Sequence, residues 1–494
     1  MQSRKPVLGL GETMMSRIRF TALAALALGI ASFPVQPATA QSATTSGTQT
    51  TSEDWRENYA YLVGLQAVIY GYPAVKNLNM RYGMVERPVG ATDTPLSQWF
   101  HLRRPADATD TTHGSVSNDF LYSVAWFDVR KEPLVISVPD SGKRYLGVQF
   151  MEWYSDIFAY LGTRATGGKA GRYLLVSADW QGETPPGIAG VIRAPTPTGA
   201  VIQRIGFLGD RANLAPVHAM QDASDMRPLS KWLAGDKSPS TDRQVLDPAD
   251  RADPLAFFVN LNRAMTENPP PAKDRPILSL LRSVGLGPGQ SDDLSKLDPG
   301  TRKGLERALR DGLKLIAQVS VSGGETKFVN RWAYNQKSWG RTGESDDFLT
   351  RAATQSFSGF LEHQIEEVVK LRAHFDSDGK LLDGSSGRYT LHFNRDQIPE
   401  AKAFWSVTVY NTNYDLHPNT LDRFSFGSHD KGLKFDRDGG VTFYLQADPP
   451  AKIYQSNWLP VPKAPFNLFL RAYLPGEPLI KQDYVPPAVV KVGG

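Results

Sequence analysis

The chain has 494 residues, a formal net charge of +4 and no cysteine. The missing cysteines exclude disulfides, thiolate metal sites and a cysteine nucleophile together. Residues 1–40 hold Arg4, Lys5, Arg17 and Arg19 against Glu12, so three of the four net charges lie there. The remainder is near neutral, without the basic field that draws nucleic acid, and no nucleic-acid partner is expected.

The N-terminus reads as an export signal over residues 1–40. Arg17 and Arg19 precede an apolar run at 20–33, and Ala38-Thr39-Ala40 supplies the small-x-small cleavage pattern. That run is shorter than the ~20 residues a membrane span needs, so the expectation is a signal peptide, a periplasmic or secreted protein, and no membrane span after cleavage. Met14 or Met15 is an alternative start. Residues 41–52 are Ser/Thr/Gln-rich and read as a flexible leader.

Residues 55–70 show helical spacing through Tyr59, Leu62, Val63, Gln66 and Ile69, and Gly71-Tyr72-Pro73 is expected to end or kink that helix. Short β-prone runs follow at 121–129, 134–138, 145–151, 158–161 and 173–176, with 191–194 and 200–205 read as a further hairpin. Helices are expected at 254–265, 276–284 and 301–319, the last with Leu305, Leu309, Leu313 and Ile316 on one face. A long helix is expected at 347–373. From residue 389 strands return, including a hairpin of 432–435 with 441–446. Such segregated runs define an α+β fold: an N-terminal mixed β-rich domain at 53–207, a mainly helical insert at 208–345, and a C-terminal β-sandwich domain at 346–494.

Two blocks of motifs carry a family resemblance. Asn118-Asp119, Tyr122-Ser123, Pro139-Asp140, Arg144-Tyr145 and Gly162-Thr163-Arg164 resemble the domain-of-unknown-function family numbered 1254. Asp378-Gly379, Leu382-Asp383-Gly384, Phe404-Trp405-Ser406, Asn457-Trp458-Leu459-Pro460 and Arg471 with Tyr473 resemble the companion family numbered 1214. The pair implies an exported bacterial protein whose C-terminal half is an antiparallel, jelly-roll-like β-sandwich. It implies no settled catalytic residues.

The residues themselves support several chemistries. Arg164 lies in a glycine-flanked loop, where a guanidinium can hold a carboxylate or phosphate. Tyr122 and Tyr145 can donate protons, and Asp119 can orient a group or act as base; an internal Arg–Asp network with paired tyrosine hydroxyls uses the same residue types. Asn118, Asn457, Trp458 and Arg471 are candidate substrate contacts, with Trp458 on an aromatic rim that stacks sugars or, equally, packs in a core. Gly167-Gly168-Lys169-Ala170 departs from a phosphate loop by one position and lacks the hydroxyl. Asp376-Ser377-Asp378-Gly379 and Asp436-Arg437-Asp438-Gly439 place glycine too early for an EF-hand and suit turns. The eight histidines show no zinc-binding spacing, and no nucleophile elbow occurs. His113 precedes the Asn118-Asp119 block and is a candidate neighbour of Arg164, while His417 and His429 flank the C-terminal aromatics; for each, an ordinary hydrogen-bonded histidine is the plainer reading.

The expectation is an exported enzyme, a hydrolase, acting on a polar small molecule or oligosaccharide-like substrate in an interdomain cleft. Asp119, Tyr122, Tyr145 and Arg164 would be its catalytic group. No cofactor and no metal are implied, and a homo-oligomer is allowed. The alternative is a non-catalytic periplasmic protein that binds glycan or assists envelope assembly.

Overall fold

The computed structural model describes residues 52–86, 94–111, 114–322, 326–357 and 359–493. The expected signal peptide, nearly all of the leader, and His113 lie outside these. The first described element is helix α1 (Ser52–Val85). It runs through Gly71-Tyr72-Pro73 instead of ending there. Proline removes one backbone donor and crowds the preceding turn, yet packing holds the helix: the Gly71 backbone lies directly against the Leu261 side chain. Tertiary burial outweighs the local helix breaker.

Nine strands follow: β1 (Phe100–His101), β2 (Phe120–Asp128), β3 (Leu134–Val138), β4 (Leu146–Met151), β5 (Ile157–Gly162), β6 (Gly171–Ser177), β7 (Gly190–Ala194), β8 (Thr198–Gly206) and β9 (Asp225–Pro228). They form two sheets, ordered β1-β2-β8-β4-β5 and β7-β6-β3-β9. The expected β7–β8 hairpin is absent. β7 pairs with β6 in parallel, whereas β8 lies between β2 and β4 in the other sheet. Their link, Pro195-Thr196-Pro197, crosses between layers, which adjacency in sequence does not reveal. β9 returns to pair with β3, so the first β-rich unit reaches Pro228, past the expected limit at 207.

Helix α2 (Ala215–Ala223) lies between β8 and β9, and the helical insert beyond Pro228 contains α3 (Leu229–Leu233), α4 (Ala256–Glu267), α5 (Arg275–Arg282) and α6 (Pro299–Ser322). Leu305 and Ile316 on α6 share a core with Ala60, Val63 and Val68 of α1 and with Phe258 and Leu261 of α4. β10 (Phe328–Val329) and β11 (Trp332–Tyr334) come next. The long helix expected at 347–373 is instead α7 (Phe348–Thr350), a π-helical stretch Arg351–Phe357, and strand β12 (Val368–Ala373). The run Val368-Val369-Lys370-Leu371 is β-prone and becomes a central strand between β11 and β18. Helical spacing further upstream obscured that change.

The C-terminal half adds β13 (Tyr389–Phe393), β14 (Ala401–Asn411), β15 (Ser425–Gly427), β16 (Val441–Gln446), β17 (Trp458–Pro460), β18 (Phe466–Pro475), α8 (Glu477–Lys481) and β19 (Val489–Lys491). Sheets β10-β11-β12-β18-β14-β15 and β17-β16-β13-β19 form a sandwich. Its interior holds Trp405, Val407, Leu468 and Leu470 from one sheet and Leu391, Phe393, Phe443 and Leu445 from the other. Residues 432–435 do not form the expected strand. β16 pairs with β13 and β17, while Asp436-Arg437-Asp438-Gly439 closes a tight turn through Gly439 N–H to Asp436 O. The architecture is α+β, and its helical layer packs against one end of the first sheet through Trp126, Met151 and Ile202. Among the described residues no helix is long and apolar enough to cross a membrane.

Strand alternation decides how the halves meet. In β2, Leu121, Ala125 and Phe127 enter the N-terminal β core, which turns Phe120 and Tyr122 the other way. In β14 and β18, Val407, Val409, Leu468 and Leu470 enter the sandwich core, which turns Ser406, Thr408, Phe469 and Arg471 outward from it. These second faces press together. Phe120, Tyr145, Val368, Phe404 and Tyr473 make a cluster of their own there, with the Phe404 and Tyr473 rings stacked at 4.2 Å. Two sheet faces that would otherwise meet water are thus buried on each other, and polar side chains are buried with them.

Candidate functional site in the interface between the two β units

Asp119 immediately precedes β2 and points into this interface, 7% exposed. One carboxylate oxygen accepts from Ser117 Oγ at 2.8 Å and Ser406 Oγ at 2.7 Å. The other accepts from Ser425 Oγ at 2.8 Å and faces the Arg211 guanidinium at 3.7 Å. Arg211 also donates to both oxygens of Asn118 and to Ser425 Oγ. Hydroxyls from both units therefore converge on one carboxylate.

A pocket opens beside it. Its polar wall is Asp119, Arg211, Ser406, His429 and Asp430, and its apolar wall includes Phe207 and Phe404. Leu208 and Gly209 form one rim with left-handed backbone, φ 57° and 69°. Gly209 is required there, because a Cβ would strike the His429 carbonyl oxygen. The His429 ring stacks on Phe404 at 5.0 Å. Burial holds His429 below the usual imidazole range, which favours its neutral form. Asp430 Oδ2 accepts from the Gly427 N–H at 2.8 Å. Burial pushes the Asp430 carboxyl up, against the opposing pull of Arg211. A neutral imidazole, a raised carboxyl and a guanidinium thus face one small space.

The other residues expected to act lie elsewhere in the same interface, outside this pocket. Arg164 sits in the loop after β5 and is one-third exposed; its Nε meets Glu367 Oε2 at 2.5 Å. Its guanidinium lies over the Tyr160 ring at 4.9 Å. Tyr145 donates its hydroxyl to Glu367 Oε1 at 2.8 Å. The Tyr122 hydroxyl accepts from the Ser117 N–H at 2.9 Å. Asp119 alone of the expected catalytic group lines the pocket, because a glutamate from the C-terminal unit occupies Arg164 and Tyr145.

The expected contacts fare similarly. Asn118 is buried, giving its amide to the Ala106 carbonyl. Arg471 is buried, donating to Thr408 Oγ1 at 3.1 Å and Ser115 O at 2.8 Å. Trp458 forms no exposed rim: it is 5% exposed and its indole N–H donates to Gln446 O at 2.8 Å. Asn457 bonds the backbone of Lys434 and Thr442. The last two do not line the pocket, because the strand end that carries them is folded back onto β16. The sequence does not mark out Arg211, Asp430 or Glu367, and His429 reads there as an ordinary histidine. A polar run such as Ser428-His429-Asp430 beside the aromatic block was the available signal. Among the described residues no group of three metal-ligating side chains comes together.

The fold and the site define an α+β protein in which two β-rich units share a polar interface. Those units carry two families in order: protein of unknown function DUF1254 matches residues 96–228, and DUF1214 matches residues 367–477. The pocket draws walls from both matched segments. The crystal structure of the VPA0106 protein from Vibrio parahaemolyticus is similar, at TM-score 0.67 and 24% identity, covering 88% of this chain and 100% of that one. This likeness shows the fold. An uncharacterized protein from Burkholderia cenocepacia matches at TM-score 0.44 and 15% identity, over 89% of this chain and 95% of that one, too distant to carry an argument. No curated protein matches.

Proposed function

We propose that this chain is an exported hydrolase of small polar molecules whose reaction takes place in the pocket between the two β units. One observation carries the reading: Arg211, His429 and Asp430 converge there, walled by both family segments. A neutral histidine can take a proton from an attacking water. The imidazolium so formed can return that proton to the leaving group, and the guanidinium, beside Asp430 at 3.7 Å, can hold the oxyanion that develops. Asp119 acts as a positioning residue, since it fixes Ser406 at the pocket wall and holds Ser425 beside Arg211. The glycan-binding alternative has less to rest on, because Trp405 and Trp458 are both buried.

The test is untargeted. Purified protein is incubated with a polar metabolite extract and mass changes are followed for wild type, His429→Gln and Asp430→Asn. Wild type is expected to consume specific components with the mass gain of water, and each variant to lose roughly a hundredfold or more in rate. Three identical profiles would remove hydrolysis from this pocket.

A further inference from the structure

Cations gather around His363 in the interface. His363 lies within electrostatic reach of four of them, Arg164, Arg204, Lys370 and Arg471. Two are neutralised: Arg164 by Glu367 at 2.5 Å and Lys370 by Glu362 at 3.0 Å. The other two form no ion pair, although Asp119 lies within electrostatic reach of Arg471. Arg204, 6% exposed, ends on Gln149 Oε1 at 2.5 Å and Leu361 O at 3.0 Å. Arg471, 4% exposed, ends on a threonine hydroxyl and a backbone carbonyl. Among the described residues neither guanidinium has a carboxylate within ion-pair distance. A buried charge without a directly paired counter-charge is costly, and buried charges are paired as a rule, so a bound anion would supply the missing partner.

His363 repeats the pattern. Both ring nitrogens are buried and have no hydrogen-bond partner, where buried polar groups are satisfied as a rule. Its ring lies parallel to Tyr160 at 6.3 Å. It follows Leu361 and Glu362, whose carbonyls accept from the Gln149 amide. The surroundings are aromatic as well as cationic. Arg204 lies over the rings of Phe120 and Tyr122, and Arg471 over those of Tyr410 and Phe469.

We propose that Arg204, Arg471 and His363 form a binding site for the carboxylate of a small organic molecule. Two guanidiniums present planar donor forks, the geometry that carboxylate oxygens accept. The flanking rings favour a ligand with an apolar body over a bare inorganic anion. The site is distinct from the pocket at His429 and does not depend on hydrolysis there.

Direct binding tests it. The full chain is titrated calorimetrically with benzoate and succinate, with benzamide as the neutral isostere and inorganic phosphate as the anion without a body. Benzoate is expected to bind and benzamide not to. Arg204→Met and Arg471→Met are each expected to weaken benzoate by roughly tenfold or more, the loss of one charge-assisted bond. Histidine-labelled NMR provides a readout on the unaltered chain, in which the His363 ring signals, assigned with His363→Gln, should move on benzoate addition. The proposal falls if neither carboxylate binds, if benzamide binds equally, if phosphate binds and the carboxylates do not, or if the signals of His363 stay fixed while other histidines shift.

Discussion

Tyr145 and Arg164 show how a partner decides a residue's role. Both were expected to face substrate, and both end on Glu367, a residue 1% exposed. That glutamate is 203 positions from Arg164, so no local pattern reveals it. Tyr145→Phe removes the hydroxyl donated to Glu367 and leaves the ring packing intact. It is expected to lower stability by about 1.5–3 kcal/mol, the cost of one buried hydrogen bond to a charged group, measured as a shifted urea midpoint. An unchanged midpoint would show that the hydroxyl contributes nothing to holding the units together. Asp119 was more legible. It lies in a sequence block recognisable as family-like, and the structure does bring it to the pocket. Arg211 and His429 were hidden in a loop and beside an aromatic run, with no spacing to mark them.

Among the elements, strands with clear alternation and helices with a sustained apolar face were readable. β3 falls at 134–138, as expected, and α6 at Pro299–Ser322 brackets the expected 301–319. What failed was continuity. Pro73 did not stop α1, and residues 347–373 changed from π-helix to strand partway along. Both outcomes are imposed by packing neighbours. Helices α1 and α6 show how close that packing is. A Cβ on Gly304 would meet the Glu57 carbonyl oxygen and come within 2.8 Å of Ala60 Cβ. Gly304→Val is therefore expected to force the helices apart and cost about 1–3 kcal/mol, seen as a lower thermal midpoint. Higher intrinsic helix propensity of valine over glycine opposes this by less than about 1 kcal/mol, so a midpoint at or above wild type would refute the close approach.

For the whole molecule, buried ionisable groups set the pH response. Glu152 is buried beside Asp156, and that burial pushes it from its ordinary 4.5 up to about 8. The folded chain keeps this proton where the unfolded chain has released it. The contribution is full at low pH and declines as pH rises toward about 8. His101 runs the other way: burial lowers it from 6.5 to about 4, so its contribution grows between those values and is complete above them. Above 6.5 the His101 contribution is flat, while that of Glu152, which titrates together with its neighbour Asp156, still declines toward about 8. Across that range, urea midpoints of wild type are expected to fall relative to those of Glu152→Gln, which has no proton to lose. Parallel curves would mean that Glu152 is already ionised in the folded chain.

Composition and periodicity by themselves determined the absence of cysteine chemistry, the order of helical and β-rich runs and the α+β class, and motif resemblance pointed to the two families. All of these follow from residues close together in the chain, where side-chain spacing acts directly on the backbone. Only the tertiary structure decided that two sheet faces close on each other, that Glu367 takes up Arg164 and Tyr145, and that Arg211 meets His429 and Asp430. Those contacts join residues far apart in sequence, and burial of the two β units against one another brings them within reach.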